Sequence, residues 1–125
     1  MTRLKKGEKN IMRTAIIGMG RISPNHLIAI QNNSQKLQLV CVCDLVEKNI
    51  DLAFQKTNTD FQNIKRYNDY KKMIINEKPD IVSIATDSGK HAEIALFCIQ
   101  NHCNVIIEKP MAMDIISADK LIFAA

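Results

Sequence analysis

Two glycines one residue apart, Gly18 and Gly20, leave a short apolar run and enter a helical pattern in "TAIIGMGRISPNH", residues 14–26. Such a turn can cradle phosphate. The first glycine permits a sharp strand-to-helix reversal, and the second lets backbone approach a pyrophosphate with no Cβ in the way. The helix N-terminus adds unpaired N–H groups and partial positive charge. The third position of this fingerprint, usually Gly or Ala, is Ser23, still small enough for close helix–strand packing. The same residues also read as a plain structural turn, with Ser23 as helix cap and Pro24 at the first helical position. A strand before, a helix after and an acid downstream favour the nucleotide reading.

That acid is Asp44, which closes the second apolar run 24 residues beyond Gly20. A carboxylate at the carboxyl end of this strand can accept the hydroxyls of an adenosine ribose, and it repels a 2′-phosphate. Leu45 and Val46 follow it, so no Arg waits for that phosphate, and NAD is expected over NADP. A second reading stays open: Asp44-x-x-Glu47 is also a capping box for the next helix.

These residues need a scaffold that brings them to one edge. Strands are expected at 14–17, 37–43, 80–86 and 104–108 as apolar runs, with a short third strand at 64–67. Helices are expected between them. His26, Ala29, Ile30 and Asn33 mark a weak stripe within 21–33, and Val46, Ile50, Ala53 and Phe54 a stronger one. Tyr70, Met73 and Ile74 mark a helix stopped by Pro79, and Ala92, Ala95, Leu96 and Ile99 another. Ala118, Leu121, Ile122 and Ala125 repeat the spacing once more. Strands alternating with helices predict an α/β fold, a doubly wound parallel sheet of order 3-2-1-4-5 with right-handed crossovers. The pattern breaks off at "LIFAA" without a closing Gly, Asn or Pro. Residues 12–125 are therefore expected to be an incomplete dinucleotide-binding domain, the front part of a longer protein and inactive alone.

Bulk properties narrow the function classes. The 125 residues are 46% hydrophobic, 24% charged and 5% aromatic with no Trp, so the core must be aliphatic. The net charge is +4, of which +3 falls in residues 1–11, expected to be a basic and flexible leader. That distribution argues against nucleic acid, which wants a basic stripe with stacking aromatics on a folded face. No apolar run reaches membrane-spanning length and no secretory leader is visible. Cys41, Cys43, Cys98 and Cys103 lack zinc-site spacing, so no metal is expected. Reduced, buried thiols in a cytoplasmic protein are the simplest account. His26 and His102 read as helix-face and helix-end residues, and Met73 as core.

The fourth strand runs into "ATDSGKHAEIA" and the fifth into "EKP". With the glycine loop, Asp44, Thr86, His91 and Glu108-Lys109-Pro110 in order, residues 12–125 resemble the amino-terminal domain of the glucose–fructose oxidoreductase, inositol dehydrogenase and related (Gfo/Idh/MocA) family. The resemblance implies a Rossmann-type domain followed by a second α+β domain. It implies that Gly18, Gly20 and the backbone of Arg21 and Ile22 line the pyrophosphate and that Asp44 holds the adenosine ribose. Thr86, Ser88 and His91 would border the cofactor, Glu108 the nicotinamide ribose, and Lys109 the nicotinamide and the reacting hydroxyl. It also implies a cis bond before Pro110. The sequence departs from the family after Thr86, where Asp87 and Ser88 replace the usual Pro and Asn.

The implied chemistry is hydride transfer between a sugar hydroxyl and NAD, with Lys109 stabilising charge on the carbinol oxygen. The general base is implied to come from the second domain, with His91 a wall or packing residue. "GRISPNH" is similar to members acting on nucleotide-linked amino sugars, so the partner expected is a sugar or nucleotide sugar, with the longer protein a homo-oligomer. The alternative is a non-catalytic Rossmann module that senses nucleotides and makes no use of Lys109.

Overall fold

The structure, a computed structural model, describes residues 11–20, 23–58, 63–86 and 88–107. Within them the chain forms β1 (Met12–Ile17), α1 (Ser23–Asn32), β2 (Leu37–Cys43), α2 (Glu47–Thr57), β3 (Lys65–Tyr67) and α3 (Tyr70–Glu77). These are followed by β4 (Ile81–Ile84), a 3-10 turn (Ser88–Lys90), α4 (His91–Gln100) and β5 (Asn104–Ile107). The expected helix over Ala118, Leu121, Ile122 and Ala125 and most of the basic leader lie outside the described residues.

All five strands pair in parallel, in the order β3-β2-β1-β4-β5. The apolar runs suit a sheet buried on both faces, because alternate side chains of each strand serve opposite layers. Ala15, Ile17, Cys41, Cys43, Val82 and Ile84 join Met73 and Ile74 of α3 and Ile94, Ala95 and Cys98 of α4. Ile16 and Val42 join Leu27 and Ile30 of α1 and Ile50, Ala53 and Phe54 of α2. Each large aliphatic side chain buried this way contributes about 1.5–3 kcal/mol.

Local chemistry sets the element ends. The Asp69 carboxylate caps α3, accepting the Lys71 amide at 2.9 Å and the Lys72 amide at 3.4 Å. Lys78 then turns left-handed at φ 47°, so α3 stops one residue before Pro79 as expected. His102 closes the α4–β5 turn at φ 67°. The alternative Asp44-x-x-Glu47 capping box does not form: Val46 is the cap residue of α2, with no side-chain cap bond. Asp44 lies two residues before that cap, too early to reach the first helical amides, and turns elsewhere.

Two helix faces differ from the periodicity. On α1 the buried residues are His26, Leu27 and Ile30, while Ala29 is exposed, as is Asn33 just past the helix end. On α4 they are His91, Ile94, Ala95 and Cys98, with Ala92, Leu96 and Ile99 only partly covered. α4 is apolar almost all round, so spacing alone could not pick its inner face.

Candidate functional site

The five strands finish in register. Tyr67 pairs with Cys43, Cys43 with Ile17, Ile17 with Ile84 and Ile84 with Ile107, a level row across the sheet. The residues that follow in the chain, Asp44 after β2, Gly18 after β1 and Ala85 after β4, therefore leave the sheet along one edge. Backbone bonds hold this row together: Gly18 N–H to the Cys43 carbonyl at 2.8 Å, Ala85 N–H to that of Ile17 at 2.8 Å, and Asp44 N–H to that of Tyr67 at 3.0 Å. β1 and β4 are also where the chain reverses its direction of travel across the sheet. In open parallel sheets a crevice opens at that point, beyond the carboxyl ends of the strands.

The two glycines do different work there. Gly18 has φ +92°, and a Cβ on it would stand 2.7 Å from the Ala85 carbonyl carbon and 2.8 Å from the Thr86 nitrogen. It is needed for a tight turn against β4. A Cβ on Gly20 would meet nothing within 4 Å, so that position stays open to an approaching group rather than to the protein. Met19 between them buries its side chain to 1% exposure in the α1–α2 core, which anchors the loop from beneath. Periodicity did not reveal this residue, because a turn has no period.

Asp44 faces this loop. Its Oδ2 accepts the Met19 amide at 2.7 Å, and its Oδ1 accepts the Val46 amide at 2.7 Å and the Asn49 side-chain amide at 3.2 Å. The acid at the end of β2 and the turn at the end of β1 are thus one hydrogen-bonded unit.

Across the crevice, Thr86 Oγ1 is buried and finds no hydrogen-bond partner among the described residues. A buried hydroxyl left in this state costs about 1–3 kcal/mol, which a ligand group would recover. His91 at the start of α4 is 2% exposed, and its Nε2 is hydrogen-bonded to the Thr86 carbonyl oxygen. Its ring fastens the β4–α4 connection. Ser88 opens the 3-10 turn, its side chain outside the description. Arg21, Ile22, Asp87, Glu108, Lys109 and Pro110 lie outside the described residues.

Elsewhere the titratable groups serve structure. All four cysteines are buried free thiols. Burial, with Glu77 nearby, pushes Cys41 up to about 12; burial, with Asp44 nearby, does the same for Cys43; and burial, then Cys103, for Cys98. Burial also raises Cys103. None is poised as a nucleophile at neutral pH. Among the described residues no His/Cys/Asp/Glu group could hold a metal ion. No described helix is long and apolar enough to cross a membrane. A groove of about 240 Å³ flanks α1, lined by His26, Ile30, Leu37, Ile81, Ser83 and Ile106 among others. Its His26 Nδ1 lies 2.9 Å from Ser83 Oγ. It opens over the sheet face, apart from the level strand ends.

Comparison with known proteins agrees with this geometry. Residues 12–125 match the family model described as "Oxidoreductase family, NAD-binding Rossmann fold". The inositol 2-dehydrogenase of Salmonella paratyphi B is 28% identical over 113 residues, 90% of this chain and 33% of that protein. The D-glucoside 3-dehydrogenase of Escherichia coli is 30% identical over 102 residues, 82% of this chain and 28% of that protein. Among solved structures, the WlbA dehydrogenase from Bordetella pertussis, in complex with NADH and UDP-GlcNAcA, superposes with a TM-score of 0.81. It is 27% identical, over 94% of this chain and 33% of that one. The chain thus spans about a third of the length of these relatives. A glycine turn, a β2 acid and a β4 exit on one sheet edge, together with the family match over residues 12–125, make this chain an NAD-binding Rossmann domain of the Gfo/Idh/MocA oxidoreductase family, whose relatives are sugar and polyol dehydrogenases.

Proposed function

We propose that this chain is the cofactor half of an NAD-dependent dehydrogenase that oxidises or reduces a hydroxyl-bearing carbon of a sugar, with a nucleotide-linked amino sugar as substrate. The observation that carries it is the paired glycines: Gly18 closed against Ala85 and Thr86, and Gly20 open to an approaching group. The residues present fit the dinucleotide. Gly18, Gly20 and the Arg21–Ile22 backbone would receive its pyrophosphate at the α1 N-terminus. Asp44 would meet the adenosine ribose, and Thr86, Ser88 and His91 would border the cofactor beyond the end of β4. The solved relative bound to NADH and UDP-GlcNAcA supports the nucleotide-sugar choice.

When bound, NAD accepts or returns the hydride. The chain's own part is placement and charge. Glu108 would approach the nicotinamide ribose. Lys109, the second residue after β5, would donate a hydrogen bond to the carbinol oxygen and stabilise negative charge growing there. The general base and the substrate pocket would come from a second domain. We place the protein in the cytoplasm, as a homo-oligomer in its longer form.

Fluorescence titration of NADH into the wild-type chain and into Gly20→Val tests this reading. A side chain at Gly20 meets open space, so Gly20→Val should keep its melting temperature yet lose at least about 10-fold in NADH affinity, roughly 1.4 kcal/mol. Equal affinity in the two proteins overturns it. A nucleotide sensor would bind equally well, but Lys109→Met in the longer protein would then leave its activity intact.

A further inference from the structure

We propose that Asn49 is a positioning residue for the adenosine end of the dinucleotide, acting through Asp44; this rests on the reading of Asp44 as the ribose acceptor. An ionised carboxylate offers about four acceptor sites. Three are taken among the described residues. Oδ1 receives both the Val46 amide and Asn49 Nδ2, and Oδ2 receives the Met19 amide. The site left open lies on Oδ2, the oxygen bonded to the glycine turn. Asn49 saturates the other oxygen and so sets which one is offered.

Several features set Asn49 apart from its neighbours. It is half-buried in the first turn of α2, whereas Leu45, Val46, Glu47 and Lys48 are all exposed. Its own amide is satisfied by the Val46 carbonyl at 3.0 Å, so its side chain is not needed to cap the helix. Asn49 is the only side chain among the described residues that donates to Asp44. A neutral amide there pins the carboxylate without cancelling its charge, which keeps the repulsion toward a 2′-phosphate. A bond to an ionised acceptor is also among the stronger kinds. The Met19 bond extends the effect: the oxygen left for ribose belongs to the same unit as the phosphate loop, so fixing one end of the carboxylate fixes its distance from the other subsite.

The experiment compares Kd values for NADH and for its analogue lacking both hydroxyls of the adenosine ribose, with wild type, Asn49→Ala and Asn49→Asp. Asn49→Ala should weaken NADH about 5-fold, the scale of one hydrogen bond, and leave the dideoxy analogue unchanged. Asn49→Asp, equal in shape but unable to donate, should lose at least as much and keep the melting temperature close to that of Asn49→Ala. Equal losses for both ligands would mark Asn49 as merely structural and overturn the proposal, as would no loss at all. A wild-type chain that binds NADH no better than the analogue overturns the ribose reading of Asp44 itself, a separate result from unchanged discrimination in the variants.

Discussion

Gly18 lies so close to Ala85 that a Cβ would stand 2.7 Å from its carbonyl carbon, and Gly18 holds φ +92° there. Backbone touches backbone at the mouth of the crevice, and neither partner can yield cheaply. Gly18→Ala should therefore cost about 2–4 kcal/mol of stability, combining overpacking with a left-handed backbone. Urea denaturation of the two proteins measures it. A loss below about 0.5 kcal/mol would mean that the turn relaxes freely and that glycine is not required there.

Asp44 ties two elements together and is also the proposed ribose acceptor. Asp44→Ala strips the Met19 and Val46 amides of their acceptor, so it should lower stability by about 1–3 kcal/mol. It should also weaken NADH binding by about 1–3 kcal/mol. Calorimetry and titration on the same preparation separate the effects. A stability loss with unaltered affinity would confine Asp44 to its role as a strut.

Thr86→Val removes a buried hydroxyl that has no partner among the described residues, at almost constant shape. Stability should hold or rise by up to about 1 kcal/mol, while NADH affinity falls about 5-fold. A destabilised variant with intact affinity would show that the hydroxyl serves the protein instead.

The thiols give a pH dependence. Cys41, Cys43 and Cys98 are pushed from 9.0 up to about 12 by burial. Below pH 9 they are protonated in both states and stability is full. Between 9 and 12 the unfolded chain releases protons that the folded chain keeps, so stability falls as pH rises, by up to about 1.4 kcal/mol per pH unit per thiol. Thermal melts across this range should show the decline, and Cys98→Ala should make it shallower. The same burial predicts that iodoacetamide at neutral pH labels the native chain slowly and the urea-unfolded chain at all four cysteines.

Much of this protein was legible residue by residue. The alternation of apolar runs and helical stripes determined the α/β class, and β2 at 37–43 is legible with its full bounds, because apart from the exposed Gln38 the run is apolar and its last three residues are buried. The placement of the glycine turn after β1 and of Asp44 after β2 was legible too, because each follows directly on an apolar strand. The inner face of α4 was not, since a helix apolar on every side carries no phase. Nor was the bond from Met19 to Asp44, which joins residues 25 apart, nor that from Asn49, which lies in a connection with no period to read. The Met19 bond exists because parallel pairing sets Cys43 level with Ile17, so register, a property of the assembled sheet, determines which residues meet at its edge; the Asn49 bond spans only five residues and depends on how the β2–α2 connection folds back. Spacing alone left Asp44 poised between helix cap and site residue; tertiary structure ruled out the cap by setting the acid against the glycine turn, two residues before the Val46 cap of α2.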